Sequence, residues 1–396
     1  MSGQIFESKP YKGTRDFYPE DLKKRSYIFN TWKKVLLENS YSEYDSSILE
    51  NAELYIAKSG DELGSKQLYS FEDKGERKVA LRPEMTPSLA RIVANKFGEL
   101  KFPLRWFSIP NCFRYEKPQR GRTREFWQLN LDLIGLEAGA SDLEMLIILG
   151  KIFLSFGAKK EMYSIRYGHR GLIDEQVKIM GLENQSKLVY EILDNWKKMR
   201  ASDRLAFAKE EGMSEDQYLL IQNYVDNPTV DFEKFPELAL IKNLTAKILP
   251  EVDYLFDPTI VRGLAYYTGL VFEAFDNNPE NNRALFGGGR YDNLMELFGK
   301  HSPAVGAAIG DLPWHEFLEG WNLYPDFSAQ RDKVGIMPIL ENATQEEILE
   351  KIYTQIIPDI QAKNQDFEID YDFARNPNKR YESLKKRGCG EVMEVK

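Results

Sequence analysis

The sequence predicts an α+β fold: an antiparallel sheet core with a helical insertion, followed by a small C-terminal α/β domain. Three observations carry this. Residues 103–116 and 124–135 are rich in Trp, Phe, Ile and Leu and flank a KPQRGR stretch containing Pro and Gly, the pattern of two antiparallel strands joined by a long loop. Residues 170–248 are dense in charge, poor in glycine and helical in period, which reads as an inserted helical subdomain. From residue 333 onward strand-like and helix-like segments alternate, the pattern of a βαβαβ unit with a parallel sheet.

Taken in order, residues 19–38 read as a helix. Pro19 opens it, acids follow in the first turn where they suit the helix dipole, and Ile28, Trp32, Val35 and Leu36 form an apolar stripe. Residues 81–96 read as a strand end, a turn and a helix. Ser141-Asp-Leu-Glu144 is a capping-box pattern ahead of an apolar helix at 143–156. Strand-like text returns at 252–275, then come Phe286-Gly-Gly-Gly-Arg-Tyr-Asp292 and an apolar, glycine-containing segment at 304–310. Residues 320–332 read as a linker, which places domain boundaries at 1–325 and 331–396. In the second domain KVGIMPIL and DFEIDYDF read as strands, 345–363 as a helix, 379–387 as a basic helix and EVMEV as a last strand.

Composition bounds the function. The chain has 396 residues, with 53 Lys and Arg against 62 Asp and Glu, a formal net charge of −9. That balance argues against a wholly basic polyanion-binding surface but leaves room for a local basic site. Cys112 and Cys389 are too few for a disulfide framework or a zinc knuckle, and His169, His301 and His315 are scattered, so no protein side chain is assigned as a metal ligand; a carboxylate-bound Mg²⁺ stays open. No apolar run reads as a signal peptide or a bilayer span, so a cytoplasmic protein is expected. GxxxxGK[ST], GxGxxG, HExxH and GxSxG are all absent.

What remains is a set of arginines in unusual settings. Arg114 lies in the strand-like NCFRYE, where it either pairs with Glu116 or presents a fork of donors to a phosphate. Glu116, two residues on, would share a strand face with it and could accept from an exocyclic amine. Lys117, Gln119, Arg120, Arg122 and Arg124 crowd the following loop, either as a solvated hairpin tip or as phosphate contacts. Arg262 precedes a glycine and the pair Tyr266-Tyr267, which either pack in a β-core or offer hydroxyls to a polar ligand. Gly287-Gly288-Gly289-Arg290 reads as a sharp bend or as a close backbone approach. In Arg82-Pro-Glu-Met-Thr-Pro87, Glu84 is a candidate for capturing an ammonium group.

Together, in this order and spacing, these segments resemble histidyl-tRNA synthetases, a family of class II aminoacyl-tRNA synthetases. Lys12-Gly-Thr-Arg-Asp-Phe17 is similar to the family's opening, LRPEMTP to its amino-acid-binding segment, FRYEKPQRGRTREFWQ to class II motif 2, and RGLAYYTG and FGGGRYD to two segments peculiar to the histidine enzyme. The resemblance runs from about residue 10 to 320, and the C-terminal module is similar to the family's anticodon-binding domain. It implies a class II catalytic core, ATP as substrate with Mg²⁺, L-histidine and tRNA(His) as partners, and a homodimer. It implies that Arg114 and Arg262 are catalytic at the α-phosphate, that Glu116 takes the adenine amine, and that Glu84, Thr86 and Gln128 hold the α-amino end of histidine. Asp132, Tyr266 and Tyr267 would line the imidazole pocket, Gly288 and Gly289 would let a strand pass close to the ligand, and Gln119, Arg120 and Arg122 would meet the tRNA acceptor end.

The chain departs from the family pattern in places. Ala265 stands where an acid is usual, Asp132 where a glutamate is common, and Pro313 near the position of an arginine that contacts ATP, which turns Arg290 into a candidate ATP ligand. The C-terminal module looks short by a strand and a helix. The activity implied is ATP-dependent ligation of histidine to tRNA through a histidyl-adenylate. The alternatives are a non-catalytic, histidine-binding paralogue of the ATP phosphoribosyltransferase regulatory-subunit type and an RNA-binding protein that keeps the scaffold without chemistry.

Overall fold

The computed structural model describes residues 7–56, 67–262, 266–281, 284–327, 332–341 and 343–396. The chain divides into two compact units, Met1–Tyr324 and Pro325–Lys396.

The first unit opens with α1 (Pro19–Glu38), whose Ile28, Trp32, Val35 and Leu36 are buried. The spacing of these residues places them on one face, and that face is spent on the chain's own core. Then follow β1 (Ser42–Glu43), β2 (Leu49–Asn51), α2 (Ala52–Ile56), β3 (Ser70–Glu72), β4 (Lys78–Leu81) and α3 (Thr86–Asn95). Strands β2, β4 and β3 make a small antiparallel sheet of their own.

Next come β5 (Leu104–Ser108), β6 (Asn111–Phe113) and β7 (Glu125–Ile134). The stretch 103–116, expected as one strand, is two strands broken at Ile109-Pro110, both antiparallel to β7. Proline has no N–H for the ladder, which explains the break; the Pro110 carbonyl instead accepts from Gln128 N at 3.1 Å. Because β6 ends at Phe113, Arg114 and Glu116 lie in the loop beyond it rather than on one strand face.

Helix α4 (Ala140–Ser155) starts a turn earlier than its sequence pattern suggests. Ser141 is no N-cap: its hydroxyl donates to the Glu137 carbonyl at 2.6 Å, and the Asp142 carboxylate takes the Gly139 N–H at 2.9 Å. After β8 (Tyr163–His169) come α5 (Arg170–Ile179), α6 (Ser186–Asp194), α7 (Ala201–Glu210), α8 (Glu215–Asp226) and α9 (Pro236–Ile248). Residues of α5, α6 and α8 build a separate apolar cluster around Ile173, Val189, Ile192 and Ile221. Helix α9 belongs elsewhere: its Leu238 and Ile241 join the main core beside α4.

The strand-like text of 252–275 resolves into β9 (Tyr254–Phe256) and β10 (Leu270–Asp276), separated by a segment that includes Pro258. Then follow β11 (Ala284–Arg290), β12 (Ala304–Gly310) and α10 (Asp311–Gly320). The principal sheet has nine strands in the order β1-β5-β7-β12-β11-β10-β8-β9, with β6 also on β7. It is antiparallel throughout its centre and parallel only at the β1–β5 and β8–β9 edges. Helices α1, α4 and α10 cover one face. There Trp32 meets Trp314 edge-on at 6.0 Å, and Phe153 stacks on Tyr163 at 3.6 Å.

In β7 the two faces separate with period two: Leu129, Leu131 and Leu133 enter that core, while Gln128, Asn130 and Asp132 face the other side. The opposite face is where polar groups collect.

The second unit contains β13 (Lys333–Pro338), α11 (Gln345–Lys351), α12 (Ile357–Ala362), β14 (Asp366–Ile369), α13 (Pro377–Lys386) and β15 (Glu391–Val395). Its sheet is parallel, in the order β14-β13-β15. The helix expected over 345–363 is interrupted by a π-helical turn at Ile352–Ile356. Pro358 follows that turn. Its ring would clash with the carbonyl four residues earlier in a regular helix, and a wider turn relieves that clash. No helix among the described residues is long and apolar enough to cross a membrane.

Candidate active site

The central strands β7, β12 and β11 present their open face to a cavity of about 70 Å³. Glu84, Thr86, Arg114, Gln128, Asp132, Arg262, Tyr266 and Tyr267 all line it. These residues come from four separated stretches of sequence. The register brings them together: Asp132 pairs with Gly306, and Asn130 with Ala308.

The cavity exists because glycine occupies two facing positions. A Cβ at Gly306 would fall on the Asp132 carboxylate, and one at Gly287 on the Arg262 guanidinium. Gly288 and Gly289, expected at the ligand, do other work. Gly288 lies against Phe272 and the Gly306 carbonyl, while Gly289 lies under Tyr267, where a Cβ would stand 2.8 Å from the ring. Both allow close packing of strands and rings, and neither lines the cavity.

Glu84 and Gln128 are both in the wall of the cavity. Gln128 Oε1 is buried with no hydrogen-bond partner among the described residues, an acceptor left for a donor from a ligand. Asp132 is 4% exposed and accepts from the Tyr291 hydroxyl. Burial pushes its carboxyl up to about 7, and the Tyr291 hydrogen bond only partly offsets this. Burial likewise raises Tyr266, Tyr267 and Tyr291, so all three phenols keep their protons at neutral pH. The Tyr266 and Tyr267 rings lie 4.8 Å apart, and Tyr291 meets Tyr266 edge-on at 6.0 Å.

Two arginines close the cavity. Arg114 donates from Nε to the Pro83 carbonyl at 3.0 Å and lies 5.0 Å from the Phe126 ring. Its Nη groups form no hydrogen bond among the described residues. Arg262 holds a left-handed backbone, φ 53°, which costs a non-glycine residue about 1–2 kcal/mol. Its Nη1 donates to Glu273 at 2.7 Å. Residues Gly263, Leu264 and Ala265, including the departure at Ala265, lie outside the described residues.

Arg290, a candidate nucleotide ligand from sequence, is instead a buried brace. At 2% exposure it donates to Asp142 at 3.0 Å, to Asp292 at 2.9 Å, to the Leu136 carbonyl at 3.2 Å and to Ser141 at 2.5 Å. It ties β11 to the start of α4 and offers no donor to the cavity. Arg82 is another brace, reaching the Asn111 and Ser46 carbonyls at 2.9 Å and 2.7 Å and so fixing the segment that carries Glu84.

Glu116 lies outside this cavity and pairs with Arg122 at 3.4 Å. Gln119 and Arg122 close a tight turn through reciprocal backbone hydrogen bonds of 3.1 Å and 2.9 Å, and Arg120 approaches Glu316 at 3.7 Å. Sequence reasoning missed Asn130, Gly287, Tyr291 and Gly306. Asn130 was within reach, since period two along a strand with Gln128 and Asp132 places it on their face. Tyr291 needed the register across strands.

A second cavity of about 510 Å³ adjoins the first, with Arg262 lining both. Gln119, Arg122, Lys197, Lys198, Glu273 and Pro313 are among its walls.

The family model described as histidyl-tRNA synthetase matches residues 13–310. A histidine–tRNA ligase of Leptospira biflexa serovar Patoc is 41% identical over 358 residues, covering 87% of this chain and 81% of that protein. A chloroplastic/mitochondrial histidine–tRNA ligase of Arabidopsis thaliana is 37% identical, covering 82% of this chain and 69% of its own. Among solved structures, an ATP phosphoribosyltransferase regulatory subunit/histidyl-tRNA synthetase from Bacillus halodurans C superposes with TM-score 0.78 at 21% identity, covering 99% of both chains. Histidyl-tRNA synthetase from Nostoc sp. PCC 7120 gives 0.75 at 22% identity, covering 97% of this chain and 90% of that one.

Two outcomes follow from the buried charges. Replacing Arg290 with Ala strands two carboxylates and is expected to cost about 3–5 kcal/mol in urea denaturation, whereas a surface ligand arginine would cost almost nothing. For Asp132, the folded state keeps a proton that the unfolded chain releases near its ordinary pKa of 3.8. Stability contributed by this site therefore falls as pH rises from about 4 to about 7. The D132N variant lacks that fall, and the difference between the two proteins' melting temperatures across this range measures it.

Proposed function

The chain belongs to the histidyl-tRNA synthetase family, and from that premise we propose that it joins L-histidine to tRNA(His) in two steps, through a histidyl-adenylate. ATP is the family's energy-supplying substrate. The observation that carries the amino-acid assignment is the polarity of the small cavity: its wall holds a buried amide oxygen without a partner among the described residues, the Glu84 carboxylate, and Asp132 among phenols.

In this reading Glu84 and Gln128 accept from the α-ammonium group, with Thr86 beside them. The imidazole lies between Tyr266, Tyr267 and Asp132, and its N–H donates to Asp132, which Tyr291 holds in place. An apolar side chain of similar size would leave Asp132 unmatched, and that penalty enforces specificity. The histidine carboxylate then points toward Arg114 and Arg262. It is already an adequate nucleophile, so catalysis consists of alignment and of neutralising charge at the α-phosphate. A carboxylate oxygen attacks phosphorus, the bond to the bridging oxygen breaks, and pyrophosphate leaves with the electron pair. In the second step a ribose hydroxyl of tRNA attacks the adenylate carbonyl and AMP departs.

Mg²⁺ enters this reading with ATP. No cluster of three or more His, Cys, Asp or Glu side chains among the described residues could cage a metal. Mg²⁺ suits such a setting, since it is held largely by phosphate oxygens and water. Gln119, Arg120 and Arg122 stand on an exposed turn, suited to the acceptor end of tRNA, and Glu116 at its base is assigned to the adenine amine. A groove along α13, lined by Lys379 and Lys386 of the helix and by Arg375 just before it, suits the anticodon arm's phosphates. A cytoplasmic homodimer completes the reading. The stripe of α1 is already buried, so the surface offered to a second copy is the exposed Ile48, Leu49, Ile56 and Phe71 around the small sheet. The regulatory-paralogue alternative is disfavoured by curated relatives that carry the ligase name across most of their length.

The deciding measurement is pyrophosphate exchange into ATP with every amino acid in parallel. Histidine alone is expected to support it, and a folded protein that exchanges with none overturns the proposal. D132N should raise the KM for histidine roughly 10- to 100-fold, the value of a hydrogen bond to a charged group, with the KM for ATP little changed. The double substitution R120A/R122A should slow tRNA charging and flatten its salt dependence while sparing exchange; an equal loss of exchange would remove the turn's assignment to tRNA.

A further inference from the structure

The helical insertion contributes to the larger cavity two adjacent lysines, Lys197 and Lys198, that none of the assignments above uses. They follow the end of α6 and, with Arg262, line a space of about 510 Å³. The cations there are paired, Lys197 with Asp257, Lys198 with Asp194 and Arg262 with Glu273. An ammonium has three donors, so a paired lysine at the wall of a concave site keeps donors for a polyanion.

The direction of the reaction decides which polyanion. Resting on the proposed activity, the α-phosphate lies between Arg114 and Arg262, with the attacking carboxylate on the side of the small cavity. An in-line displacement sends the leaving group to the opposite side of phosphorus. Arg262 lines both cavities, so the side opposite the small cavity is the larger one. We infer that Lys197 and Lys198 of the insertion bind the β- and γ-phosphates of ATP and then the departing pyrophosphate.

Their surroundings suit this role. Lys197 is paired with Asp257, but that carboxylate also takes Arg166 at 3.6 Å and the Thr259 hydroxyl at 2.6 Å. Asp257 therefore stays satisfied when the lysine turns toward a phosphate, and an ammonium has three donors to share. Burial raises the Asp257 carboxyl, yet the Lys197 and Thr259 hydrogen bonds outweigh it and hold the carboxyl below its usual value. Lys198 makes only an i,i+4 pair with Asp194 at 2.5 Å, on a half-exposed turn. The placement is also rigid. Leu193 and Trp196, just before the lysines, share one apolar cluster with Val261, the residue before Arg262. The insertion thereby carries its lysines at a fixed distance from a catalytic arginine.

The test uses the full chain and the variants K197A, K198A and K198R. Exchange kinetics should show the KM for ATP and for pyrophosphate rising about tenfold to a hundredfold in each alanine variant, with K198R close to the parent. The affinity for histidine alone, by calorimetry, should not move. Inorganic pyrophosphate titrated alone should bind the parent and bind the alanine variants more weakly. K198A loses only an exposed pair, so it separates ligand effects from folding. Unchanged KM values for ATP and pyrophosphate in folded variants overturn the inference, as does a fall confined to tRNA charging, which would give the lysines to tRNA instead. If the parent shows no exchange yet binds pyrophosphate through these lysines, the ligase reading falls and the polyanion site stands.

Discussion

Space at two glycines is the constraint on which the site depends. Strands β11 and β12 run side by side with Gly287 and Gly306 on their open face, and the Arg262 guanidinium and the Asp132 carboxylate lie where side chains would otherwise stand. The close approach has two consequences. It carries a cation and an anion over bare backbone and leaves a slot between them. It also buries Asp132 deeply enough to bring its carboxyl near neutrality, so that a group ordinarily ionised far below neutral pH becomes responsive to what occupies the slot.

The buried charges sort by how fully they are satisfied. Arg82, Arg290 and Arg380 are each about 2% exposed and wrapped by carbonyls and carboxylates. Unpaired charge in such places would cost several kcal/mol, so each has a full set of partners and acts as a rivet. Arg380 does this in the second unit, joining α13 to the carbonyl of Pro338 at 2.8 Å. Arg114 and Arg262 differ: among the described residues Arg114 donates to the Pro83 carbonyl and Arg262 to Glu273, and both line the open cavity. Arg82 and Arg290, both in the first unit, brace the segments around the cavity that Arg114 and Arg262 line.

The insertion is more than an appendage on this scaffold. Its own apolar cluster reaches into the loop before Arg262 through Val261, and its last helix, α9, packs into the main core through Leu238 and Ile241. The buried pair of His169 and Glu237, 3.0 Å apart, adds a polar link between β8 and α9. The insertion is thus tied to the rest of its unit through Val261 and through α9.

Much of this was legible in one dimension. The order and spacing of the arginine-bearing segments pointed to the family, and those segments supplied Glu84, Arg114, Gln128, Asp132 and Arg262, which the fold brings to one cavity. These are local properties: residue type, period and spacing act within a single segment. What only the tertiary structure decided depends on register between segments far apart in sequence. Arg290 looked like Arg262 from sequence, and only the arrival of Asp142 from α4 turned it into a brace. Gly288 and Gly289 looked equivalent to Gly287, but neighbouring strand positions alternate faces and Tyr267 covers one of them. Tyr291 joined the site because the fold brings its hydroxyl to Asp132, 159 residues earlier. Sequence names the groups able to carry charge, while the fold decides which of those charges are spent on holding it together and which are left for a ligand, because that depends on partners the chain brings in from elsewhere.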